Sequence, residues 1–180
     1  VNLTELWSKI LPGRKKPQRH FYSLVLLLRA PKQYTQQDLE LAGETAWGQP
    51  FNTSEDSPFI VHQDSGTTLI KCQSFLINLL QAKTPYSPPD RERSLAKTDE
   101  RGRSAWEQHT AWMAFDLLND YDFTPETGFA ALARWAQPFL GPNCTAAFIP
   151  SIGRTLINNG AADRGLKSLI ALDQKASPES

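Results

Sequence analysis

Phe21-Tyr22-Ser23-Leu24-Val25-Leu26-Leu27-Leu28 is a short apolar run, preceded by basic residues and closed off by Pro31. Apolar side chains fall on both alternating sets of positions, so it reads as a β-strand buried on both faces. Such a strand belongs in the centre of a sheet.

Downstream, Thr35 reads as an N-cap, with Asp38 three residues on approximating a capping box. Leu39, Ala42, Gly43, Ala46 and Trp47 repeat at helical spacing, Glu40 and Glu44 take the opposite side, and Gly48 with Pro50 stops the helix. Phe59–His62 reads as a second strand. Asp64-Ser65-Gly66 is a turn signal and Thr67–Cys72 the return strand of a hairpin. Phe75–Lys83 reads as a strand because Phe75, Ile77 and Leu79 alternate, although Leu76 and Leu80 also suit a helix.

Thr84–Ser104 opens with Pro85, Pro88 and Pro89 and carries dense mixed charge, which predicts a mobile loop with at most one solvated helical turn. Thr110–Leu118 reads as a strand and Asn119–Asp122 as a loop. Thr124 as cap and Pro125 at the first helical position start a helix whose buried stripe is Phe129, Leu132, Ala133, Ala136 and Leu140. Ala146–Ile149 reads as the final strand and Ala161–Leu172 as the last helix, with Leu166, Leu169 and Ile170 on its apolar side.

One pentapeptide recurs: Trp47-Gly48-Gln49-Pro50-Phe51 returns as Trp135-Ala136-Gln137-Pro138-Phe139. Both copies end a helix that starts from a Thr cap and follows an apolar strand. The chain therefore reads as two strand–helix–strand halves, 21–83 and 105–173, joined by the charged loop 84–104. The first half carries an extra hairpin. The expected fold is α+β: a mainly antiparallel sheet with helices packed on one face, in the manner of a ferredoxin-like duplication. The repeated Trp and Phe are expected to be matched plugs where each helix end meets the sheet.

Leu3, Leu6, Trp7, Ile10 and Leu11 predict a short amphipathic helix in residues 1–20, followed by a basic stretch through Arg19. Peripheral membrane contact is one use of such a segment; docking on the domain is the simpler one. Residues 1–20 lack the order of a secretory signal, and 174–180 read as a disordered tail. The remaining 21–173 form a single α+β domain.

The 180 residues carry 19 basic and 19 acidic side chains. That balance argues against a general nucleic-acid binder. Apolar runs fall short of a membrane span. Two cysteines, Cys72 and Cys144, cannot make a disulfide framework, and a cytoplasmic location with reduced thiols is expected. Asn2, Asn52 and Asn143 head glycosylation acceptor patterns, which arise easily by chance.

Few residues group as chemistry requires. His20, His62 and His109 form no metal-ligand pair, so no metal and no cofactor are expected. Ser94-Leu95-Ala96-Lys97 lacks the companion motifs of penicillin-recognising enzymes. Asp116, Asp120 and Asp122 fail the calcium-loop pattern, because Pro125 and Ala131 stand where Gly and Glu are needed. No phosphate-cradling Gly-rich loop follows a central strand. Cys144 and His109 pair only if the fold brings them together. The most unusual cluster is Trp106-Glu107-Gln108-His109-Thr110-Ala111-Trp112. There His109 is a candidate general base, with Glu107 or Asp116 as helper. The plainer reading of His109 is a strand cap within an aromatic layer. The leading expectation is a non-catalytic protein-binding or accessory (immunity-like) module. The alternative is a small enzyme or ligand-binding protein built on Trp106–Trp112.

Overall fold

The structure is a computed structural model that describes residues 22–51, 57–64, 66–88, 91–96 and 98–176. The predicted amphipathic helix and basic leader of 1–20, and acceptor residues Asn2 and Asn52, lie outside the described residues. Strand β1 (Ser23–Leu28) is buried along its whole length. The other strands are β2 (Phe59–Asp64), β3 (Thr67–Cys72), β4 (Phe75–Ala82), β5 (Ala111–Leu117), β6 (Cys144–Ile149) and β7 (Arg154–Ile157). They form one open seven-stranded sheet of order β2-β3-β4-β5-β1-β6-β7, and every neighbouring pair is antiparallel. The expected antiparallel α+β sheet is therefore observed, with β1 inside it.

Helix α1 (Gln36–Trp47) starts at Thr35 with a complete capping box and ends at Gly48 in the left-handed conformation, φ 64°. The αL region that Gly48 occupies is the one a Cβ disfavours. Helix α2 (Arg91–Ala96) lies within the segment read as a loop, and helix α3 (Glu100–Gln108) begins in it and runs four residues past its end. Helix α4 (Pro125–Ala136) has Thr124 as its cap and proline in its first turn. Helix α5 (Ala161–Ala176) runs past Leu172 and three residues into the predicted tail.

The sheet has two unlike faces. Leu24, Leu26 and Leu28 of β1 enter the larger core with Phe115, Ile77, Ile70 and Val61, beneath α1, α4 and α5. Val25 and Leu27 face the other way, into a second core with Ala114, Ala146 and Phe148, closed by Ala105 and Trp106 of α3. Leu95 of α2 and Tyr86 pack against it. Helices therefore cover both faces, which corrects the one-face expectation. The reason lies in β1 itself, since a strand apolar on both sides needs cover on both. Tyr86 and Leu95 of the 84–104 segment supply part of that cover, and Ala105 and Trp106 directly after it supply the rest, so the segment is not merely a solvated loop.

Two further corrections concern the C-terminal half. The Ala146–Ile149 strand is not the last: β7 pairs with β6 and forms the sheet edge. The repeated pentapeptides are also not equivalent plugs. Trp135 is fully buried and its indole N–H donates to Cys72 Sγ at 3.2 Å. Trp47 is only partly buried, with Arg134 stacked 4.6 Å over its ring. Phe51 meets Trp135 edge-on at 5.3 Å, whereas Phe139 meets Tyr34 at 4.8 Å.

Candidate functional site

Cover over the second face thins across the sheet. Side chains of β1 and β6 are buried there. Those of β4 on this face, Leu76, Asn78 and Leu80, are half-buried. Leu69 and Lys71 of β3 and His62 and Asp64 of β2 are exposed. Leu69 is 36% exposed, and Leu118, whose N–H bonds to the Leu76 carbonyl just beyond β5, is 40% exposed. Leu80 of β4 still packs against the second core, but β2 and β3 contribute nothing to that core among the described residues.

A largely polar row crosses from the open half into the closed one. The register places His62 opposite Leu69, Leu69 opposite Asn78, Asn78 opposite Asp116, and Asp116 opposite Ser23. Alternation puts these side chains on the same face. Burial pushes the Asp116 carboxyl above its ordinary value, and a hydrogen bond from the Ser23 hydroxyl opposes that shift. No Lys or Arg of the described residues pairs with it. Beside it, Asn78 Oδ1 is buried and accepts no hydrogen bond. Tyr86, half-buried above the second core, has its phenol held up by burial first and by the Asp116 charge second. The row thus holds two neighbouring acceptors and one hydroxyl donor.

The predicted trio is not assembled. His109 is 3% exposed at the C-terminal cap of α3. Its Nε2 accepts the backbone N–H of Tyr86 at 2.9 Å, and its Nδ1–H donates to the Trp106 carbonyl. Those partners fix the neutral tautomer, and burial holds the imidazole below its usual pKa. Neither nitrogen is left for a substrate in this arrangement. Glu107 is exposed on α3. Asp116 lies at the far end of β5, roughly 23 Å along the strand from His109 at ~3.3 Å per residue. That separation is too long for one small substrate.

Other candidates are accounted for locally. Both cysteines are free and buried, and burial pushes each thiol up to about 12. Such thiols are poor nucleophiles at neutral pH. Among the described residues no group of three His, Cys, Asp or Glu is placed to hold a metal. Asn143 exchanges two hydrogen bonds with the backbone of Ala30, and Thr145 of the same acceptor pattern is buried with its hydroxyl on the Leu27 carbonyl. A shallow groove of about 430 Å³ is lined by Thr45, Gln137, Leu140, Asn158 and Asp163. Its polar groups are occupied: Gln137 donates to Asp163, and Asn158 to the Gly141 and Cys144 carbonyls.

Comparison with protein-family models, curated proteins and solved structures finds no match to this chain. Sequence reasoning named Asp116 for a different partnership and missed Ser23, Asn78 and Tyr86. The available signal was a lone polar residue inside an apolar strand: Ser23 before Leu24–Leu28, and Asn78 between Ile77 and Leu79.

Proposed function

We propose that this chain is a non-catalytic α+β module, an accessory or immunity-like domain that receives a protein partner on the open half of its second sheet face. The uneven cover carries the reading. One face is sealed by three helices, while Leu69, Leu76 and Leu118 lie exposed or half-exposed around His62, Lys71 and Asn78 on the other. Apolar side chains ringed by polar ones mark contact surfaces. The engagement of both His109 nitrogens argues for the binding reading over the one with His109 as general base. A ferredoxin-like core is supported by the contiguous strands β4-β5-β1-β6 with α1 and α4 on one face. The β2–β3 hairpin is then an insertion in the first half, and β7 with α5 an extension of the second. Two buried, unlinked thiols fit a reducing, cytoplasmic setting.

The test is site-specific photo-crosslinking in cells that express the chain. A benzophenone side chain at position 69 or 118 is expected to capture one and the same protein. At position 41, 64% exposed on α1 and on the other side of the sheet, it should not. Equal capture from all three positions, or none from 69 and 118, overturns the reading.

A further inference from the structure

We propose that Asn78 and Asp116 form the seat for an arginine of the partner, the guanidinium bridging the Asn78 Oδ1 atom and the Asp116 carboxylate. The inference rests on the docking reading above and names the chemistry of its anchor.

The argument is one of unmet acceptors. Asn78 and Asp116 are directly opposed on β4 and β5, so their Cβ atoms stand about 4.5–5.5 Å apart on one face. Asn78 Oδ1 lacks a donor, and a buried acceptor without one costs free energy. Asp116 has the Ser23 hydroxyl but no cation, and a half-buried carboxylate without a counter-charge is likewise costly. Folding does not repair either deficit from within, although Lys71 lies on the same face. A planar fork with several N–H donors matches two neighbouring acceptors better than a point-charged ammonium does. Leu69, next to Asn78 in the row, and Leu118, beside Leu76, offer apolar surface to the stem of such a side chain. Asn78 Oδ1 is closed to solvent, so the guanidinium reaches it by parting the side chains above it. Ser23 acts as a positioning residue by holding the Asp116 carboxylate.

The experiment titrates the isotopically labelled chain with N-acetyl-arginine amide, with N-acetyl-citrulline amide as the uncharged isostere. Saturable amide shifts are expected at positions 23, 78 and 116 with the arginine compound and not with citrulline. Asp116→Asn should weaken binding by about tenfold while the spectrum stays folded. Shifts that do not saturate, that are equal for citrulline, or that persist at equal affinity in Asp116→Asn overturn the seat. The docking reading has its own readout. If adducts from positions 69 and 118 form as strongly in an Asp116→Asn chain, the arginine seat is overturned while the docking face stands.

Discussion

Tyr86 gives its backbone N–H to Nε2 of His109 across 2.9 Å, and so fastens the chain leaving β4 to the C-terminal end of α3. Tyr86 and Trp106, the residues bonded to this imidazole, both pack in the second core. Removing the ring orphans a buried N–H and opens a cavity. His109→Ala is expected to cost about 2–4 kcal/mol in urea denaturation, with the Tyr86 amide exchanging faster. The pH dependence has a definite sign. Burial puts the folded pKa below 6.5, so the unfolded chain takes up a proton that the folded chain refuses. Stability therefore falls as pH drops from about 6.5 towards the folded value and then levels. His109→Gln, which keeps a donor and an acceptor without titrating, should lose that slope. An unchanged slope would mean that His109 is not the group responsible.

Gly43 lies where α1 meets the end of α4. A Cβ there would stand 2.7 Å from both the Phe51 and Trp135 rings. On an open helix surface Gly→Ala stabilises, because alanine has the higher helix propensity. Here the sign reverses: Gly43→Ala should lower stability by about 1–3 kcal/mol, because two buried aromatics must move. Gly141→Ala is the control, with nothing within 4 Å of the added carbon, and should change stability by no more than about 0.5 kcal/mol. Thermal melts of the two variants decide it, and a stabilised Gly43→Ala would show that the contact yields.

The elements legible in the sequence are those whose own residues carry the signal. β1 announces its burial through unbroken apolarity, and Thr35 and Thr124 announce their helices through cap chemistry. Helix α3 was hidden because Gly102, Ala105 and Trp106 alone turn inward among charged neighbours, and such a pattern resembles a solvated stretch. β7 was hidden because its four residues offer one buried apolar side chain, Leu156. The polar row was illegible for another reason. Ser23, Asn78 and Asp116 lie far apart in the chain and meet only through the registers of β1, β4 and β5, which no local pattern encodes.

Trp106 ties α3 to the sheet edge by donating its indole N–H to Thr155 Oγ1 at 3.0 Å. Thr155→Val removes the acceptor and strands a buried donor, at an expected cost of about 1–2 kcal/mol. Trp106→Phe removes the donor but loses ring volume. If the bond is a real coupling, the double variant should cost about 1 kcal/mol less than the sum of the two singles, as measured by denaturant melts. Additive losses would assign both effects to packing alone.

Asp116 is expected to work against the stability of the unbound chain. Its folded carboxyl titrates above 3.8 because burial disfavours the anion. Between 3.8 and that higher value the folded chain keeps a proton that the unfolded chain has released, so stability falls as pH rises through the window and stays lower above it. Asp116→Asn removes the penalty while retaining the acceptor for the Ser23 hydroxyl. Its melting temperature should exceed that of the parent at neutral pH, and the difference should shrink as the pH is brought below 3.8. A lower melting temperature at neutral pH would mean that the carboxylate already has a favourable partner in the free chain, which would leave no unmet demand for an arginine to satisfy. A higher one, together with weakened binding of N-acetyl-arginine amide, would place stability and recognition in opposition at this residue, as is common where a surface is kept for a ligand.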